Sequence, residues 1–163
     1  MTATGPLILA AGEGQTIELG TVGQVFTFKV TGAQTGGALD LFELAIGPGG
    51  GPPLHVHHAH DETYRLLAGT LTIQLGAERT TATEGVVVFV PRGIPHAFRN
   101  FGDVPARMLV TMTPSAWDDL LAAVAEARAA GGDLGGGLPD AERLRPLMEK
   151  NDTELLGPPM SPA

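Results

Sequence analysis

Between Thr16 and Pro114, turn-forming residues interrupt almost every apolar stretch before it exceeds strand length. Gly32, Gly36-Gly37, Gly47-Pro48, Gly69, Gly85 and Gly102-Asp103 fall in successive gaps. A helix needs an unbroken run of about 10–12 residues with period 3.6, and this region offers none. It offers short segments that alternate or run apolar: Thr16–Leu19, Val25–Phe28, Leu39–Ile46, Thr63–Leu67, Thr70–Leu75, Val86–Val90 and Arg107–Thr113. Short strands at such regular spacing predict an antiparallel sandwich or barrel. The 23 glycines and 13 prolines of the 163-residue chain agree with that class and argue against a helical bundle.

After Pro114 the period changes. Ser115 and Asp118 read as a capping box. Trp117, Leu120, Leu121, Val124 and Ala127 then share one helical face until Gly131-Gly132 stops the run. Gly135-Gly136-Gly137 reads as a flexible link. A weaker helix is expected from Asp140, with Leu144, Leu147 and Met148 on its apolar side and Pro146 positioned to kink it. Both stripes read as packing surfaces rather than as a cofactor site. The expected division is a β-barrel over residues 1–114 and a two-helix tail packed on it over residues 115–163.

Charge and cysteine usage limit the partners. Ten basic residues against 18 acidic ones give a formal charge of −8 with no basic cluster, which disfavours nucleic acid. Cysteine is absent, so any metal must be held by nitrogen and oxygen, and a reducing, cytoplasmic setting is expected. The N-terminal stretch has no basic leader. Its apolar run, Leu7 to Ala11, is too short for a signal peptide or a membrane span, so no membrane association is expected.

All five histidines lie in two short segments, four of them between positions 55 and 60. On a strand, residues i and i+2 face the same way, so His55 and His57 aim two imidazoles at one point. His58 and His60 form a rival pair of the same spacing. Glu62 has the wrong parity to join His55 and His57 on an unbroken strand, so residues 58–61 must contain a turn or bulge. Pro91-Arg92-Gly93 is a turn signal, and the strand after it can deliver His96. Three imidazoles and one carboxylate suit Fe, Mn, Co, Ni, Cu or Zn, and suit Mg or Ca poorly. Four protein ligands on a six-coordinate ion leave positions open for water, dioxygen or substrate.

The two segments resemble the paired motifs of the cupins. Gly49, His55, His57, Glu62 and Gly69 fill G(X)5HXH(X)4E(X)6G, and Gly85, Pro91, Gly93, His96 and Asn100 fill G(X)5PXG(X)2H(X)3N. The resemblance implies an all-β double-stranded β-helix, or jelly-roll barrel, with one divalent transition metal ion held by His55, His57, Glu62 and His96. It favours His55/His57 over His58/His60, which then read as loop residues. Tyr64 shares parity with Glu62, and Phe98 with His96. Both are candidates for the substrate pocket, as is His60. Arg65, Arg92 and Arg99 read as surface charges, with steering of an anionic substrate as the alternative.

The tail, from Pro114-Ser115 through Pro139–Leu144 to Glu154–Pro159, resembles small bacterial cupins related to quercetin 2,3-dioxygenase. That likeness implies a dioxygenase acting on a small enolic or phenolic substrate, with Glu62 as ligand and general base and dioxygen as co-substrate. A non-redox lyase or isomerase and a non-catalytic binding module are the alternatives. Cupins often pair through their sheets, so a homodimer built partly from the strands before Gly32 is expected.

Overall fold

The computed structural model describes residues 5–19, 23–118, 148–150 and 152–162. Of the helix expected from Ser115, residues 115–117 are not helical and everything from 119 on lies outside the described residues, as do the glycine link and the second expected helix up to residue 147; residues 148–150 are helical. Eleven strands are described: β1 (Gln15–Leu19), β2 (Gln24–Val30), β3 (Asp40–Ile46), β4 (Pro53–His57), β5 (Asp61–Ala68), β6 (Thr70–Leu75), β7 (Glu78–Thr83), β8 (Val87–Val90), β9 (His96–Arg99), β10 (Ala106–Thr113) and β11 (Thr153–Pro159). One short helix, α1 (Gly32–Thr35), joins β2 to β3. The strands form two antiparallel sheets, a six-stranded one ordered β1-β2-β3-β10-β5-β8 and a five-stranded one ordered β11-β4-β9-β6-β7.

Period-two patterning explains why these segments are strands. In β3, Asp40, Phe42, Leu44 and Ile46 are buried while the residues between them are only partly so, and β10 repeats the pattern with Ala106, Met108, Val110 and Met112. The two strands pair in register, Phe42 opposite Val110 and Leu44 opposite Met108, so one sheet face is continuously apolar. Leu71, Ile73, Ala82 and Phe98 of the other sheet complete the same core. Trp117 closes one end, its ring 5.3 Å from that of Phe26 and 6.1 Å from that of Phe42. This is the jelly-roll arrangement the motifs imply. Among the described residues no helix is long and apolar enough to cross a membrane.

Two details differ from the sequence reading. Residues 153–159 are not helical tail. They form β11, which pairs antiparallel with β4, Thr153 opposite His57 and Leu155 opposite His55. Gly157, Pro158 and Pro159 disguise the strand, and the chain tolerates them because β11 lies at the edge of its sheet, where a missing N–H breaks no ladder. Asp118 also does more than open a helix. Its Oδ1 accepts a hydrogen bond of 3.0 Å from the Ala33 N–H in the first turn of α1, while Asp40 accepts from the N–H groups of Gly32, Ala116 and Trp117. These contacts fasten the start of the tail to the β2–β3 connection.

Candidate metal centre

His55 and His57 leave β4 on its inner face, and His96 leaves β9 directly opposite His55 in the ladder. Glu62 comes from the other sheet. The chain leaves β4 at His57, bends through residues 58–60 and enters β5 at Asp61. The carboxylate therefore reaches the imidazoles across the barrel, not along one strand. The parity conflict is resolved by a change of sheet, where the sequence suggested a turn or bulge.

Gly51, two residues past the first motif's opening glycine, and the motif residues Gly69, Gly93 and Asn100 hold this geometry. Gly51 (φ +145°) lies so close to β9 that an added Cβ would collide with the Phe98 carbonyl oxygen, and the Cβ of a residue at Gly69 (φ +79°) would meet the Ala106 Cα at 2.8 Å. The Gly93 N–H donates to the His57 carbonyl at 2.8 Å, tying the second motif's turn to the end of β4. Asn100 is buried and acts as a clasp. Its Nδ2 donates to the carbonyls of Ile46 (2.9 Å) and Val104 (2.8 Å), and its Oδ1 accepts from the Gly102 N–H (2.9 Å).

All four candidate ligands are buried, and one donor atom from each lies within 4.8 Å of the other three. With metal–ligand bonds of about 2.1 Å, an octahedral ion spaces adjacent donors by about 3.0 Å and opposite ones by about 4.2 Å, so the cluster fits a single ion. Each imidazole is oriented through Nδ1. His55 Nδ1 lies 2.9 Å from the Pro53 carbonyl, His96 Nδ1 2.9 Å from the Ile94 carbonyl, and His57 Nδ1 2.8 Å from Thr153 Oγ1. A carbonyl only accepts, so His55 and His96 carry the proton on Nδ1 and present the Nε2 lone pair inward.

Two of the four groups, His55 and Glu62, are held in the charge state that a cation requires, and at His96 an ion would compete with a proton shared with Glu62. Burial holds His55 neutral, its pKa lowered to about 3 with help from the neighbouring His96 and His57. Burial alone would raise the Glu62 carboxyl, but hydrogen bonds with His57 and His96 overcome it and hold the group well below the usual carboxylate range. Burial opposes a charge on His96, yet its contact with Glu62 prevails and raises its pKa. The Glu62 Oε2 atom lies 3.1 Å from His96 Nε2 and 3.4 Å from His57 Nε2.

Tyr64 lies in the site. Its hydroxyl donates to Glu62 Oε2 at 2.8 Å, and burial together with the adjacent carboxylate raises its pKa, so it keeps its proton. Phe98 meets the Tyr64 ring edge-on at 5.8 Å within the core. His60 is buried, its ring 6.4 Å from that of His57 and its Nδ1 3.0 Å from the Pro114 carbonyl. His58 is exposed and pairs with Glu154 at 2.9 Å, outside the ligand cluster. Arg92 makes a two-pronged contact with Asp61, and Arg65 is exposed. Thr153 escaped the sequence reading. Its signal was a β-branched residue opening a short apolar segment, overshadowed by the Gly-Pro-Pro that follows.

A two-sheet antiparallel barrel with buried imidazoles on one sheet and a carboxylate on the other defines a class of β-barrel with a candidate single-ion metal centre. Residues 42–112 match the family model for the Cupin domain, and all four candidate ligands fall within them. Over that span the chain is similar to a cupin domain. Among curated proteins, the tetracenomycin polyketide synthase protein TcmJ of Streptomyces glaucescens is 34% identical over 82 residues, 50% of this chain and 54% of that protein. The chain spans about half the length of the curated relatives it matches first. Among solved structures, a predicted oxalate decarboxylase from Thermotoga maritima superposes with a TM-score of 0.61 at 18% identity, over 66% of this chain and 99% of that one. The polyketide cyclase RemF from Streptomyces resistomycificus gives 0.60 at 20% identity, over 68% and 80%. At these identities the structures speak to the fold alone.

Proposed function

We propose that this cupin is a metal-dependent enzyme, a dioxygenase acting on a small enolic or phenolic substrate. The carrying observation is the donor set. Four protein ligands, three imidazole nitrogens and one carboxylate, would leave a six-coordinate ion two positions for exogenous ligands, which a closed structural site would not. When bound, the ion supplies Lewis acidity and, if redox-active, one-electron chemistry.

The chain's own residues supply the rest. The three imidazoles fix the ion against β4 and β9. Glu62, kept ionised, is both ligand and acceptor of the substrate's hydroxyl proton. Its low proton affinity suits it only to a hydroxyl acidified by its surroundings. Tyr64 steadies that carboxylate without giving up its own proton. Val90 and Met112, the cross-strand neighbours of Glu62 on β8 and β10, give it an apolar flank that keeps water away.

A second reading is a non-redox ring closure or isomerisation. The likeness to a polyketide synthase protein favours it, because polyketone chains are rich in enolisable carbons. One experiment separates the two. Protein saturated in turn with Fe, Mn, Co, Ni and Cu is assayed on flavonols, β-diketones and phenolic polyketones, with and without oxygen. The dioxygenase consumes oxygen stoichiometrically and is silent anaerobically, whereas the non-redox enzyme converts substrate equally in both. In either case Glu62→Gln, saturated with metal, should lose about 10²–10⁴-fold in turnover. Near-wild-type turnover in that variant would reduce Glu62 to a ligand.

A further inference from the structure

The three Nδ1 contacts are not equivalent. His55 and His96 donate to backbone carbonyls two residues away, Pro53 at the start of β4 and Ile94 just before β9. His57 instead depends on a side chain 96 residues further along, Thr153, the first residue of β11 and outside the matched residues 42–112. Thr153 and His57 are both buried and face each other in the β11–β4 ladder. The same corner is fastened by the His58 N–H, which donates to the Asp152 carbonyl at 2.8 Å, and by the exposed His58–Glu154 pair.

We propose that Thr153 is a positioning residue for His57, so that docking of the C-terminal strand and occupancy of the metal centre are linked. The proposal rests on the metal reading above. For His57 to offer Nε2 to an ion, its Nδ1 must carry the proton, and Thr153 Oγ1 is the acceptor that receives it. A carbonyl would enforce that arrangement alone, but a hydroxyl can also donate. The orientation of His57 is therefore the one that depends on how the last strand is seated. Linkage is reciprocal: what aligns His57 for the ion favours the ion, and the ion in turn holds the strand that aligns it.

The test uses the full-length protein with cobalt(II) as the probe. Thr153→Val keeps the β-branched shape and removes the acceptor, and Thr153→Ser restores it. The expected result is a loss of about 10–100-fold in cobalt affinity and an altered visible absorption spectrum in the valine variant, both recovered in the serine variant. Glu154→Ala, on the same strand but paired with the exposed His58, should bind cobalt as wild type does. Amide exchange at Thr153–Leu155 should slow in wild type on adding cobalt, and respond less in Thr153→Val. Wild-type protein that takes up no cobalt overturns the metal reading and this proposal with it. If wild type binds cobalt and the valine variant matches it in affinity and spectrum, this proposal alone falls. Equal losses in Thr153→Val and Thr153→Ser, or in Glu154→Ala, would assign the effect to strand packing and overturn the positioning role.

Discussion

Replacing Asn100 with alanine should destabilise the barrel by an amount that follows from its contacts. The side chain makes three hydrogen bonds, and alanine removes all of them while leaving the backbone links to Gly49 and Gly50 in place. The bond to the Ile46 carbonyl is buried, so its loss strands an acceptor at a cost of about 1–3 kcal/mol. The bonds to Val104 and Gly102 are part-buried, where water can substitute, and contribute about 0.5–1.5 kcal/mol each. The sum is about 2–6 kcal/mol. With a urea m-value of about 2 kcal/mol/M, the midpoint of unfolding falls by about 1–3 M at unchanged slope.

Asn100→Asp is the sharper variant, because it keeps the acceptor for Gly102 but aims a carboxylate oxygen at two carbonyls. It should cost at least as much as alanine at neutral pH. The new carboxyl is buried against acceptors, so its folded pKa is raised above its unfolded value. Its stability is therefore best below the unfolded pKa and is lost as pH rises through the folded one. Midpoints within about 0.5 M of wild type for both variants, at an m-value of about 2 kcal/mol/M, would refute the clasp.

Elemental analysis of purified variants should find stoichiometric metal lost in His57→Ala and His96→Ala and retained in His58→Ala, whose side chain is exposed and paired with Glu154. Full occupancy in either of the first two would overturn the ligand set. The Asp61 carboxyl, lowered to about 2 chiefly by its hydrogen bonds with Arg92, should rise only part of the way toward the ordinary 3.8 in Arg92→Ala, because the backbone N–H of residue 92 still donates to it, as followed by carboxyl-carbon NMR. Because its folded pKa is depressed, the pair's contribution to stability is present above pH ~4 and fades as pH falls toward ~2. An unshifted titration would show that Arg92 is not the cause.

The core and the clustering of the candidate ligands were legible because each rests on a short-range rule. Alternation alone marks β3 and β10, and the two-residue spacing of His55 and His57 needs only a strand to bring them together. What escaped depends on partners far along the chain. β7 reads Glu-Arg-Thr-Thr-Ala-Thr, with Ala82 as its one buried residue, and is a strand because β6 pairs with it. Glu62 could be placed beside the imidazoles but not assigned to the opposite sheet, since parity says that the strand must break and not where the chain goes next. Thr153 was invisible for the same reason: its role exists only once β11 lies against β4.

The division of the ligands between the two sheets gives the site a mechanical character. His55, His57 and His96 move with one sheet and Glu62 with the other, so the gap between imidazoles and carboxylate is the thickness of the sandwich at that point. Tyr64, Phe98 and Met112 fill that thickness at core density and leave it little freedom to stretch. The barrel then acts as a caliper. An ion of the wrong radius would have to spread two packed sheets or give up the carboxylate, and Glu62 would be the contact through which the fold measures an ion bound there.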